Sequence, residues 1–110
     1  MSTTTIAKPA WRALLEDRWQ ARLRELTELS LAYHGAADDS GDGVDRPEAR
    51  ALLDRAVAAR RKLADVEEAL GRLSAGGFGQ CEQCGSAIPA GTLTVIPETR
   101  YCQGCELVHR

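Results

Sequence analysis

The sequence predicts a mainly α-helical fold: an antiparallel two-helix coiled-coil hairpin followed by a small module built on four cysteines. Three observations predict it. Two long segments carry apolar residues at three-four spacing, a short polar stretch joins them, and two C-x-x-C pairs follow the second. With 110 residues the chain has room for one ordinary domain. Aromatic residues are only 5 % and charged residues 27 %, a composition that suits amphipathic helices and leaves little bulk for a thick core. A small domain short of core needs a staple, and the cysteines are the candidate. On this reading residues 1–10 are an N-terminal tail, 11–75 the hairpin with a tip loop at 35–48, and 76–110 the cysteine module.

The first helix is predicted from about Pro9 to His34. Pro9 suits an early helix position, where its missing N–H costs nothing. Leu15, Trp19, Leu26, Leu29 and Tyr33 form its seam, interrupted by Arg22. Gly35 is expected to end it in the left-handed conformation. The second helix has the cleaner seam. Ala49, Leu52, Ala56, Ala59, Leu63, Val66, Leu70 and Leu73 alternate spacings of three and four without a miss, a heptad pattern. Asp45 and Glu48 are placed as an N-cap and its capping-box partner, and Gly76-Gly77 is the stop. Helices joined by a short loop usually fold back antiparallel. Positions whose numbers sum to 81 or 82 then pair: Tyr33 with Ala49, Leu29 with Leu52, Leu26 with Ala56, Trp19 with Leu63, Leu15 with Val66. The fold-back point falls at Gly41. A two-helix homodimer with the same seams remains an alternative. The segment from Phe78 to Arg110 shows no helical period.

Cys81 and Cys84 form one C-x-x-C pair, Cys102 and Cys105 the other, with seventeen residues between them. This spacing is read as a zinc site. Two residues between cysteines let a tight turn aim both sulfurs at one ion, and two such turns complete a tetrahedral shell closed to water, so the one zinc expected is structural. A redox pair would normally open a helix in a strand-helix pattern, which this segment lacks. His109 is a possible substitute ligand, although four thiolates already fill the shell.

The run Gly77-Phe78-Gly79-Gln80-Cys81-Glu82-Gln83-Cys84-Gly85, with Ile88-Pro89, Leu93, Pro97 and Tyr101-Cys102-Gln103-Gly104-Cys105, resembles the C4 zinc finger of the DksA/TraR family. That family sets its zinc-finger module directly after a long helical hairpin. The resemblance covers roughly Trp11 to Cys105. It implies a transcription regulator that is not an enzyme, with RNA polymerase as its partner. The hairpin would enter the polymerase secondary channel and bring acidic tip residues near the catalytic centre. Some relatives cooperate with the alarmone ppGpp. Two departures stand out. Thr92 replaces a basic residue often found before the leucine at Leu93. Longer members continue past the last cysteine into a further helix, whereas the last residue here is Arg110.

The tip loop is acidic: Asp38, Asp39, Asp42, Asp45 and Glu48 face a single base, Arg46. Family tips carry D-x-x-D. Asp42 with Asp45 fits it and is followed by Arg46, and Asp39 with Asp42 is the other frame. The loop also imitates the start of an EF-hand, but its twelfth position is Ala49 and Pro47 intrudes, which excludes calcium binding of that kind. Arg60, Arg61 and Lys62 cluster on the second helix, by default as a solvated face. Net charge is −2, so no whole-protein basic field draws the chain to nucleic acid, and sequence-specific nucleic-acid binding is not expected. A zinc ribbon binding nucleic acid and a helical oligomerisation adaptor are the competing functions. The N-terminus has no apolar run of a secretory signal and no stretch is long enough for a membrane span, so the expected address is the cytoplasm. Twelve of the fourteen basic residues are Arg, a composition that hints at a GC-rich genome.

Overall fold

The structure, a computed structural model, describes residues 8–38 and 46–108. They form four helices: α1 (Lys8–Asp38), α2 (Pro47–Ala75), α3 (Ala90–Val95) and α4 (Gln103–Val108). The described residues contain no β-strand beyond an isolated antiparallel bridge between Gln80 and Ala87. Two compact units divide the chain. One holds residues 19–64, the other residues 8–18 together with 65–108.

In the first unit α1 and α2 form the expected antiparallel hairpin, and its core follows the predicted register. Leu29 of α1 is buried with Ala56 and Ala59 of α2, and Leu26 and Leu52 pack against them. Alanines in the seam let the helix backbones approach closely, which is why these side chains suffice to close it. Arg22, the interruption in the α1 seam, is half-buried and forms an ion pair with Glu25 one turn on.

The helix ends differ from expectation in two places. Gly35 does not terminate α1, which runs on to Asp38. A glycine inside a helix costs only about 1 kcal/mol, and Ala36 and Ala37 beyond it are the best helix formers. At the start of α2 the Arg46 carbonyl accepts the first helical bond, from Arg50 N–H at 2.9 Å. Arg46 therefore occupies the cap position expected for Asp45, with Pro47 at the favoured first helical position. Asp45 lies outside the described residues, as do Gly41 and the fold-back.

The second unit takes in the base of both helices, which the sequence reading assigned to the hairpin. Its buried side chains are Trp11 and Leu15 from α1, Val66, Ala69 and Leu73 from α2, and Cys81, Ile88, Leu93 and Pro97 beyond them. Leu15 and Val66, predicted partners, are both fully buried. Ala69 is buried and Leu70 only half so, a shift of one position from the predicted seam. Trp11 sits on Phe78 with ring centroids 5.3 Å apart, so it packs the base. α2 ends as predicted. Gly76 has φ of 91°, its N–H donates to the Leu73 carbonyl, and the Gly77 N–H donates to the Arg72 carbonyl at 2.9 Å. That is the Schellman arrangement, which needs a left-handed residue and so a glycine.

The region from Phe78 onward is not free of helix: α3 and α4 each add six residues. The Pro89 carbonyl accepts from Thr92 and Leu93 to start α3, which points Leu93 into the core. Elements this short carry no recognisable period.

Candidate metal centre

The first C-x-x-C pair lies on a tight backbone turn. The Gly85 N–H donates to the Cys81 carbonyl at 2.9 Å, and the Cys81 N–H donates to the Ser86 carbonyl at 2.8 Å. Gly85 has φ of 76°, a conformation that side chains disfavour and that reverses the chain directly after Cys84. The bridge between Gln80 and Ala87 closes the outer end. The second pair is built differently. Cys102 precedes α4, its carbonyl accepts from Glu106 N–H at 2.8 Å, and Cys105 sits in the first turn of that helix. A backbone bond from Glu82 N–H to the Arg100 carbonyl, 2.8 Å, ties the two segments together.

This brings together all four predicted cysteines. Their sulfurs lie within 4.8 Å of one another, and those of Cys84 and Cys102 are 3.8 Å apart. A tetrahedral zinc site with Zn–S bonds of about 2.3 Å has an S···S edge of about 3.8 Å. All four thiols are free, and a disulfide would require about 2.05 Å between sulfurs. The four-thiolate set thus fits one zinc ion held in a closed, structural shell, with Cys81, Cys84, Cys102 and Cys105 as its ligands.

The electrostatics of the cluster explain why it needs a cation. Burial pushes the Cys81 thiol up, but hydrogen bonds to its sulfur from the backbone at Cys102, Cys84 and Gln83 outweigh it and bring it down to about 6. The Ser86 hydroxyl, 3.2 Å from the Cys84 sulfur, and the Ser86 backbone lower Cys84 as well. Cys105 goes the other way. Its interaction with the Cys102 sulfur, then burial, then the sulfurs of Cys81 and Cys84, push it up to about 12. Negative charge on part of the cluster therefore keeps a proton on Cys105 until a divalent ion replaces it.

Three arginines that sequence reasoning missed hold this module to the helices of its unit. Arg18 of α1 grips Glu98 with a double hydrogen bond, both contacts 2.7 Å. Arg72 of α2 donates to the carbonyls of Glu98 (3.3 Å) and Thr99 (3.4 Å) and reaches the Glu82 carboxylate at 3.4 Å. Arg100 turns back to α2 and pairs with Asp65 at 3.3 Å and with Glu68. Partners up to 80 residues apart leave no local signal in a sequence.

Asp39, Asp42 and Asp45 of the acidic tip lie outside the described residues, and so does His109. Arg60, Arg61 and Lys62 are exposed on α2, as a solvated face requires. No helix among the described residues is long and apolar enough to cross a membrane.

No family model matches the chain. Over 43 residues it is 44 % identical to an uncharacterized protein of Aquifex aeolicus; the match takes in 39 % of this chain and spans only 30 % of that protein's length. Its fold is that of the transcription factor DksA2 from Pseudomonas aeruginosa. The two superpose with a TM-score of 0.79 over 93 % of this chain and 81 % of the other, at 19 % sequence identity.

Proposed function

We propose that the chain is a zinc-binding, cytoplasmic transcription regulator of the DksA/TraR type, binding RNA polymerase through its secondary channel and acting through an acidic hairpin tip. The observation that carries this reading is the shared fold with a transcription factor over nearly the whole chain, joined to a four-cysteine cluster of zinc geometry. The chain itself catalyses nothing on this reading. The zinc-finger module and its arginine contacts stiffen the base, and the hairpin presents Asp42 and Asp45, with Asp39 beside them, to the interior of the polymerase. Carboxylates near a Mg²⁺-dependent centre perturb metal or substrate positioning, or shift polymerase between two conformations with which they make different contacts.

A nucleic-acid-binding zinc ribbon is less well supported. From residue 76 onward the only bases are Arg100 and Arg110. Arg100 is engaged by Asp65 and Glu68 rather than free for phosphate. The test is co-purification of the zinc-loaded chain with RNA polymerase from its native host, followed by transcription from single promoters with and without the chain. Absence of any polymerase complex refutes the reading.

A further inference from the structure

The four cysteines reach the metal centre on two segments that the chain delivers separately. Five residues, 76–80, separate the end of α2 from Cys81, so the chain itself tethers the first pair to that helix. Cys102 comes 18 residues after Cys84 and has no such short tether. Arg72, in the last turn of α2, reaches both segments. Its guanidinium donates to the carbonyls of Glu98 (3.3 Å) and Thr99 (3.4 Å), on the stretch leading into Cys102. It also donates to the carboxylate of Glu82 at 3.4 Å, and Glu82 lies between Cys81 and Cys84. One side chain therefore joins the two halves of the site.

The joint is built on a fixed point. The Arg72 carbonyl accepts from the Gly77 N–H at 2.9 Å, within the left-handed stop at Gly76, so its backbone cannot shift without undoing the end of α2. Its side chain is only 17 % exposed, which limits how far water can take over its contacts. Beside it, the backbone bond from the Glu82 N–H to the Arg100 carbonyl crosses the same gap. The other two arginines act differently. Arg18 ties the second segment to α1 through Glu98, and Arg100 ties it to α2 through Asp65 and Glu68. Zinc can leave a closed four-thiolate shell only when sulfurs part. Without Arg18 the two cysteine segments are still joined to each other, whereas without Arg72 their side-chain joint is gone.

We propose that Arg72 is the positioning residue of the metal centre: acting through Glu82, Glu98 and Thr99, it holds the two cysteine segments together and sets the rate at which zinc is lost. The test mixes zinc-loaded, full-length protein with an excess of a chromogenic zinc chelator and follows release by absorbance. Wild type, Arg72→Lys, Arg72→Met and Arg18→Met are compared, with helicity and the urea midpoint recorded for each. Lysine and methionine are both good helix formers, so α2 tolerates either at position 72. Residues that orient metal ligands are worth roughly 10–100-fold in metal affinity. Arg72→Met should release zinc about tenfold faster than wild type. Arg72→Lys, which keeps the charge and loses the fork, should release it at least about fivefold faster. Arg18→Met should stay within about twofold of wild type even where its urea midpoint falls as far as that of the Arg72 variants. An Arg72 variant that keeps its helicity yet never loads one zinc shows the same effect at its limit. Release from both Arg72 variants within about twofold of wild type shows that the joint does not hold the metal and overturns the proposal. Full restoration by lysine overturns it in favour of charge alone, and equal acceleration by Arg18→Met overturns it in favour of a general loosening of the module.

Discussion

Replacing Glu98 by Gln should loosen the metal module from α1 without touching a ligand. The Glu98 side chain is 11 % exposed and accepts two 2.7 Å hydrogen bonds from Arg18, which is 29 % exposed. A fully exposed pair would contribute about 0–1 kcal/mol, and breaking a fully buried one would cost about 3–5 kcal/mol. This pair lies between those limits, and the partial exposure of Arg18 lets water take over some of its hydrogen bonding. The expected loss is about 1.5–2.5 kcal/mol, or roughly 6–15 °C in Tm for a domain of this size. Because Glu98 has further interactions, the pairwise part is isolated by a double-mutant cycle with Arg18→Met, where the coupling should be about 1–2 kcal/mol. Urea unfolding of the zinc-loaded protein at two salt concentrations provides the readout, with the coupling shrinking only modestly in high salt. A coupling below about 0.5 kcal/mol would show that the two side chains meet without stabilising the fold and would refute the anchoring argument.

Three further outcomes are expected. Cys84→Ser or Cys105→Ser should reduce bound zinc from one per chain toward none and unravel residues 76–108, while much of the helical signal survives, as read by elemental analysis and circular dichroism. Zinc affinity should fall as pH falls, because the proton held on Cys105, pushed up to about 12, must leave before the ion binds. Each pH unit lost between 8 and 6 weakens binding about tenfold through that one proton, and a competition titration showing no pH dependence contradicts this. Asp42→Asn combined with Asp45→Asn should leave polymerase affinity nearly unchanged while the effect on transcription falls. Full regulatory activity in that double variant would rule out the acidic-tip mechanism.

The hairpin and the cysteine cluster were legible because both are periodic or locally spaced. Heptad alternation gave the register that sets Leu26 and Leu29 against Leu52 and Ala56, and the spacing within each C-x-x-C pair implies a turn, whatever surrounds it. Where the reading missed, local signals competed or were absent. Gly35 looked like a stop, but alanines on its far side keep α1 going to Asp38. The burial of Ala69 in place of Leu70 depends on what faces α2 in its unit, which no single-helix pattern contains. The contacts of Arg18, Arg72 and Arg100 form only after the chain has folded back on itself.

Those three arginines bear on how the sequence is free to drift. The scarcity of lysine reads at first as a bias of codon usage, with each arginine exchangeable for its cheaper-coded cousin. Lysine, however, offers a single ammonium, whereas Arg18 spans both oxygens of one carboxylate and Arg72 serves two carbonyls and a carboxylate at once. In a lineage moving toward AT-rich codons, the exposed positions 60 and 61 would be free to become lysine as far as stability is concerned. Positions 18 and 72 would stay behind, marking in an otherwise recoded gene the places where the planar fork, and not the charge, is what selection keeps.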